Sequence, residues 1–341
     1  MAREYLQQAH GFTHSTETLR GWMVQDGLWK AKARKAARAH PPRERRPCRG
    51  ELVQIDGSHH DWFEGRAPKC CLIAFIDDAT GQVLGARFSP TETTQAYFDV
   101  LHRYVKDHGM PVALYSDRHS IFTKHDSSDA VPTQFERALL QLDIAPIHAY
   151  SPQAKGRVER LFQTLQDRLI KAMRLQSINS MDAANAWLGS YLRGHNQRFA
   201  RSPKEPQDAH RPCTKSVQEL RHILALHHQR QLSSQLSCQF ECSVVQLHAG
   251  QAHAPKGRAQ VDIVEFADGS VELLYRGQVL KHTRYAVQTR QGCSRAADDK
   301  GINAAVERLV QAQHKHIAQT AAQIRATLKK CPRRSVLKRY Y

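Results

Sequence analysis

Three stretches decide the fold: Glu51-Leu-Val-Gln-Ile-Asp56-Gly57, Val112-Ala-Leu-Tyr-Ser-Asp117 and Tyr150-Ser-Pro-Gln-Ala-Lys-Gly-Arg-Val-Glu159-Arg160. The first two are short apolar runs closing on an aspartate, as strands do when their ends carry a carboxylate. The third opens an amphipathic helix, with Ser151 as its N-cap and Pro152 at the first helical position. Gly156 lets the start of that helix approach a backbone closely. Val158, Leu161, Phe162, Leu165 and Leu169 recur at i, i+3, i+4, i+7 and i+11, which makes one buried stripe. Glu159 stands about 100° round from Val158, at the stripe's margin, so it leans over the strand ends while the stripe packs on a sheet.

The segments between these stretches supply the rest of an α/β layout. Strands are expected at 52–56, 71–76 and 82–88, the second apolar throughout as befits burial on both faces. A helix over 91–108 follows, with Tyr97, Phe98, Leu101 and Val105 on one side. A strand at 112–116, a helix at 134–142, a strand at 144–148 and the helix from Ser151 complete the order β-β-β-α-β-α-β-α. That order is the ribonuclease-H-like arrangement. Its first and fourth strands are neighbours, which brings Asp56 and Asp117 to one sheet edge. The polar insertion at 124–132 reads as a surface loop.

Around this core, residues 50–200, the chain divides by composition. Residues 1–29 resemble part of a helix-turn-helix, with a turn at Gly11, a cap at Ser15 and Arg20 among the exposed, DNA-facing residues. Residues 30–49 form a basic, Pro-containing linker expected to stay extended and disordered until it meets phosphates. Residues 201–235 read as a Pro/His/Gln-rich linker followed by a helix at 217–229. Residues 236–292 carry short alternating runs with Asp268-Gly269 and Arg276-Gly277 turns, a small β-barrel pattern. Residues 293–341 form a basic helical tail.

The formal charge of +18 sits largely in the two ends. Residues 1–50 hold eleven Lys/Arg against four Asp/Glu, and residues 294–341 hold eleven against three. Basic arms flanking a nearly balanced middle suit a polyanion partner, because cations that neutralise phosphates release condensed counterions. No apolar run is long enough to span a membrane and no secretory signal pattern opens the chain, so the reading is cytoplasmic. The eight cysteines follow no repeating frame, which points to reduced thiols.

A phosphodiester resists nucleophiles by its own charge, and two Mg²⁺ ions answer this by activating the attacking group and steadying the leaving oxygen. Two or three hard carboxylates converging from different elements hold such ions. Singly, Asp56 could be a turn residue, Asp117 a loop start and Glu159 a solvated helix charge. Jointly they fall at the element ends of one topology. Lys155, Arg157 and Arg160 flank the glutamate and are candidate phosphate contacts. Asp77 and Asp78 read as turn residues, with a supporting carboxylate as the alternative. A zinc site from His59-His60 and Cys70-Cys71 is disfavoured, since adjacent pairs do not readily give tetrahedral ligation and Cys71 begins a buried strand.

Gln54-Ile-Asp56, Ser116-Asp117-Arg-His-Ser-Ile-Phe122 and the stretch from Ser151 to Arg160 resemble the catalytic blocks of the DDE transposase and retroviral integrase superfamily. The longer strings from Val53 to Glu64 and from Ser116 to Ser120 look more specifically like the ISNCY group of bacterial insertion-sequence transposases. The resemblance covers roughly residues 16–200. It implies that Asp56, Asp117 and Glu159 are catalytic metal ligands and that Mg²⁺ or Mn²⁺ is the cofactor. It also implies cleavage at transposon ends, attack of the freed 3′-OH on target DNA, and a homo-oligomer assembled on that DNA. The chain departs from the family at Asp117-Arg118-His119, where integrases show Asp-Asn-Gly. It also places 41 residues between Asp117 and Glu159 instead of the commoner 35, and has Gln166 where relatives are basic. Its N-terminal region reads as shortened, so the alternatives are a DNA-binding-only remnant or repressor of transposition, and a nuclease or resolvase.

Overall fold

The structure is a computed structural model that describes residues 1–30, 44–123, 131–149, 156–248, 250–251 and 253–286. The 124–130 part of the insertion, the Ser151 cap with Pro152, Lys155, most of the basic linker and the basic tail lie outside the described residues. The chain divides into two units, one of Met1–His228 with Ile263–Glu272, the other of Gln229–Asp262 with the described residues from Leu273 onward.

The first unit begins with α1 (Ala2–His10) and α2 (Thr16–Gln25). Gly11 ends α1 in the left-handed region at φ 63°, and Ser15 Oγ accepts from Thr18 N at 3.1 Å to cap α2. Then come β1 (Leu52–His60), β2 (Cys70–Asp77), β3 (Val83–Ser89), α3 (Thr94–His108), β4 (Ala113–Ser116), α4 (Gln134–Gln141), β5 (Ala145–His148), α5 (Gly156–Leu175) and α6 (Met181–Phe199). The sheet order is β3-β2-β1-β4-β5, antiparallel from β1 to β3 and parallel from β1 through β4 to β5. This is the ribonuclease-H-like α/β fold.

The pleat sends alternate residues to opposite faces, and the two cores follow it. Val53, Ile55, Cys71, Ile73 and Phe75 face the helices α3 and α4, with Tyr97, Phe98, Leu101, Phe135 and Leu139. Leu72, Ala74 and Ile76 face α5 and α6, with Val158, Leu161, Phe162, Leu165, Leu169 and Leu188. All five stripe residues of α5 are buried, each stabilising the docked helix by about 1.5–3 kcal/mol. The edge strand β3 is covered by side chains of α6. Asn185 accepts from Phe88 N at 2.8 Å and donates to Phe88 O at 3.0 Å. Asn196 does the same at Val83 N and O, both at 2.9 Å.

Several expectations are corrected. Strand β1 does not stop at Asp56 but runs to His60, because residues 57–60 keep pairing with Gly57↔Ile73 through His60↔Cys70. Gly156 makes no close backbone approach: a Cβ there would meet nothing within 4 Å among the described residues. Residues 44–49 are not a free linker. Arg45 donates to the carbonyls of Asp78 and Ala79, and Arg49 pairs with Asp208. Residues 201–216 are equally engaged, with Arg211 bridged to Met110 and His210 bonded to the Tyr104 hydroxyl at 2.5 Å. The helix expected over 217–229 is α7 (Val217–Ile223) only, and the chain turns there into β6 (Leu226–Gln231).

In the second unit, β7 (Ser237–Phe240) and β8 (Ser243–Leu247) form an antiparallel sheet with the last strand, His282–Ala286, in which β8 is central. The intervening strands are β9 (Gln260–Glu265), β10 (Val271–Tyr275) and β11 (Gln278–Leu280), and the last strand is therefore β12. The β10–β11 hairpin turns at Arg276-Gly277, both at positive φ (50° and 77°), as a two-residue turn matched to strand twist requires. Among the described residues no helix is long and apolar enough to cross a membrane.

Candidate active site

The β1–β4 ladder is parallel, and its last registered pair is Gln54↔Tyr115. Asp56 stands two residues further along β1, and Asp117 is the first residue past the end of β4, two beyond Tyr115. Asp56 pairs with Ala74 across β2, while Gln54 and Ser58 on either side pair with Ile76 and Leu72. Those three apolar partners belong to the core under α5, so Asp56 shares the sheet face that α5 covers. Gln166 of α5 donates to Ser58 Oγ at 3.3 Å on that face.

Asp117 leaves β4 in a turn of its own making, since its Oδ1 accepts from His119 N at 3.0 Å. The buried Ser116 hydroxyl donates to the Asp117 carbonyl at 3.1 Å and lies 3.1 Å from His148 Nδ1. His148 Nε2 is 3.0 Å from Glu136 Oε1, and Glu136 also closes the capping box of α4 with Thr133. A chain of side chains thus fixes the loop that carries Asp117.

The start of α5 is anchored by a buried carboxylate. Asp78 is fully buried and accepts from Gln54 Nε2 at 2.8 Å and from Arg46 N at 2.9 Å. It also forms an ion pair with Arg157, whose side chain is 18% exposed. Asp77 serves the turn, accepting from Gly50 N at 2.9 Å, Thr80 N at 2.8 Å and the Thr80 hydroxyl at 2.6 Å. Arg157, expected as a phosphate contact, is therefore tied to the sheet. Glu159 and Arg160, two and three residues beyond Arg157 on α5, are both exposed. Arg20 is exposed on α2 and paired with Glu17 at 2.5 Å.

Asp56 inside β1, Asp117 just past the end of the neighbouring β4 and Glu159 in the first turn of α5 are hard oxygen donors of the kind a divalent cation such as Mg²⁺ takes. The structure does not draw all three together. Among the described residues, the trio of ligating side chains whose donor atoms lie within 4.8 Å of one another is His59, Cys71 and Glu92. Sequence reading disfavoured zinc here because adjacent pairs do not readily give tetrahedral ligation and Cys71 begins a buried strand, and it did not bring in Glu92. The signal it needed was register: His59 faces Cys71, and His60 faces Cys70.

The protein y4bF of Sinorhizobium fredii, which bears a transposase name, is 43% identical over 285 residues, covering 83% of this chain and 62% of that protein. The transposase for insertion sequence IS1202 of Streptococcus pneumoniae is 40% identical over 172 residues, covering 49% of this chain and 37% of that protein. The chain is similar over most of its length to a protein that bears a transposase name. It spans less than two thirds of either relative's length. Among solved structures it is similar to the HTLV-2 integrase catalytic core domain in complex with magnesium, at 19% identity over 48% of this chain and 98% of that one, TM-score 0.36. It is also similar to a chain of the simian T-cell lymphotropic virus intasome, at 17% identity over 84% and 99%, TM-score 0.39. No family model matches.

Proposed function

We propose that the chain is a DDE-type transposase that cleaves transposon ends and joins the freed 3′-OH to target DNA, with Asp56, Asp117 and Glu159 as the residues that would hold Mg²⁺ or Mn²⁺. The observation that carries this reading is that β1, which bears Asp56 on the face α5 covers, runs parallel beside β4, which Asp117 directly follows, while Glu159 belongs to α5 itself. Bound divalent ions would supply charge neutralisation at the phosphodiester and activation of the attacking oxygen. The protein's part is positional: the Ser116–His148–Glu136 chain steadies Asp117, and the Asp78–Arg157 pair steadies the first turn of α5.

The strings around Asp56 and Asp117 favour the ISNCY group within the superfamily. Lys155 and Arg160 are the proposed phosphate contacts beside the site, and Arg20 on α2 belongs to the proposed helix-turn-helix within residues 1–29. The short strands described between Ser237 and Ala286 support a small β-barrel over 236–292, and the basic ends of the sequence support transposon-end and target DNA as partners. Two ends must be joined together, so the active form is a homo-oligomer on DNA. A second reading, a chain that binds DNA without completing the reaction, draws on the three carboxylates not being gathered.

A strand-transfer assay with a 3′-OH donor duplex and Mg²⁺ separates the two. Joined products that disappear in Asp117→Asn while duplex binding persists support the transposase. Binding with neither hydrolysis nor joining supports the second reading, and hydrolysis without joining indicates a nuclease.

A further inference from the structure

We propose that His59, Cys71 and Glu92 form a second metal site, one for a thiophilic divalent cation of the Zn²⁺ class, on the opposite sheet face from Asp56. His59 and Cys71 are cross-strand partners at the ends of β1 and β2, and Glu92 reaches them from the segment before α3. The three donor atoms lie within 4.8 Å of one another. His59 Nε2 and Glu92 Oε2 are 3.7 Å apart, too far for a hydrogen bond, so they face each other across a gap. Metal–ligand bonds of about 2.0–2.3 Å at tetrahedral angles need donor separations of roughly 3.3–3.8 Å, so a small inward movement closes the set.

Two features aim the carboxylate at this gap. The buried Tyr97 hydroxyl donates to Glu92 Oε1 at 2.6 Å, leaving Oε2 toward His59, as an outer partner orients a ligand. Gly57 provides the room: a Cβ there would stand 2.7 Å from Glu92 Cδ. Three protein donors, with His59 59% exposed, leave a fourth position for water. Sulfur and imidazole select zinc-class ions over Mg²⁺, which separates this site chemically from the carboxylates on the other face. A bound ion would tie the outer end of β1 to the start of β2 and to the lead-in of α3.

The test is a Co²⁺ titration of the full chain, purified metal-free under reducing conditions and read by the thiolate-to-cobalt charge-transfer absorption. About one equivalent should saturate the band, Zn²⁺ should displace it, and millimolar Mg²⁺ should not. His59→Ala, at an exposed position that leaves the core intact, and Glu92→Gln should each weaken binding at least about tenfold. Cys71→Ser should abolish the band, while Asp117→Asn should leave it unchanged, so that failure here is distinct from failure of the transposase reading. Absence of a thiolate band, or a band indifferent to His59→Ala, overturns the proposal.

Discussion

Arg157 distinguishes a phosphate contact from a structural anchor, and the two roles leave opposite signatures. Asp78 is fully buried, so truncating Arg157 removes an ion-pair partner from a carboxylate in the interior. Removing one partner of a buried pair costs about 3–5 kcal/mol. Asp78 keeps its bonds from Gln54 and Arg46, and Arg157 is partly solvated, which together reduce the expected loss for Arg157→Ala to about 2–3 kcal/mol. For a unit of this size that lowers Tm by about 4–12 °C. Asp78→Asn in the same background should recover part of the loss, because an amide without a cation is cheaper to bury than a carboxylate. Arg160→Ala, exposed one turn away, should leave Tm within about 1 °C yet weaken duplex binding and reduce its log–log salt slope by about one. Thermal melts and salt-dependent binding isotherms on the same variants read both. An Arg157→Ala protein that melts normally but loses a unit of salt slope would refute the anchor.

The remaining predictions concern the packing around the site. Burial pushes the His195 imidazole down to about 4, so the unfolded chain takes a proton first as pH falls below about 6.5. Stability should therefore drop between pH 6.5 and 4, by on the order of 2 kcal/mol, and His195→Phe should flatten that part of a stability–pH curve. Gly57→Ala should press on the Glu92 carboxylate and strain its Tyr97 bond, costing about 1–3 kcal/mol in chemical denaturation. Asn196→Ala removes both bonds at Val83 and should speed hydrogen exchange of that amide, with a stability loss of about 1–3 kcal/mol.

The core was readable because its elements obey one period at a time. The α5 stripe repeats at helical spacing, and 71–76 is apolar throughout because both faces are covered. That β1 and β4 are neighbours was readable for the same reason, from element order alone, although Asp56 lies inside β1 and not at its end. What failed was whatever depended on a partner far along the chain. Arg157 looks like any helix-start cation until Asp78, 79 residues away, is found beneath it. Residues 44–49 and 201–216 look like linkers by composition, yet Arg49 and Asp208 hold them together. Helix α6 went unread because its buried positions, Ala184, Leu188, Leu192 and His195, include a small and a polar residue that blur the stripe. The early end of α7 escaped because Leu224-Ala225-Leu226 continues the apolar pattern through the change to strand.

The two asparagines of α6 have a bearing on how copies of this protein can meet. An open strand rim invites another chain to add on, whether productively or as aggregate. Here the amide groups at Val83 and Phe88 already act as a counterfeit neighbour, answering the main chain at two points while the rest of the helix bars approach. Copies of the chain are thereby hindered from fusing their sheets along that rim, and any mutual contacts fall to other surfaces.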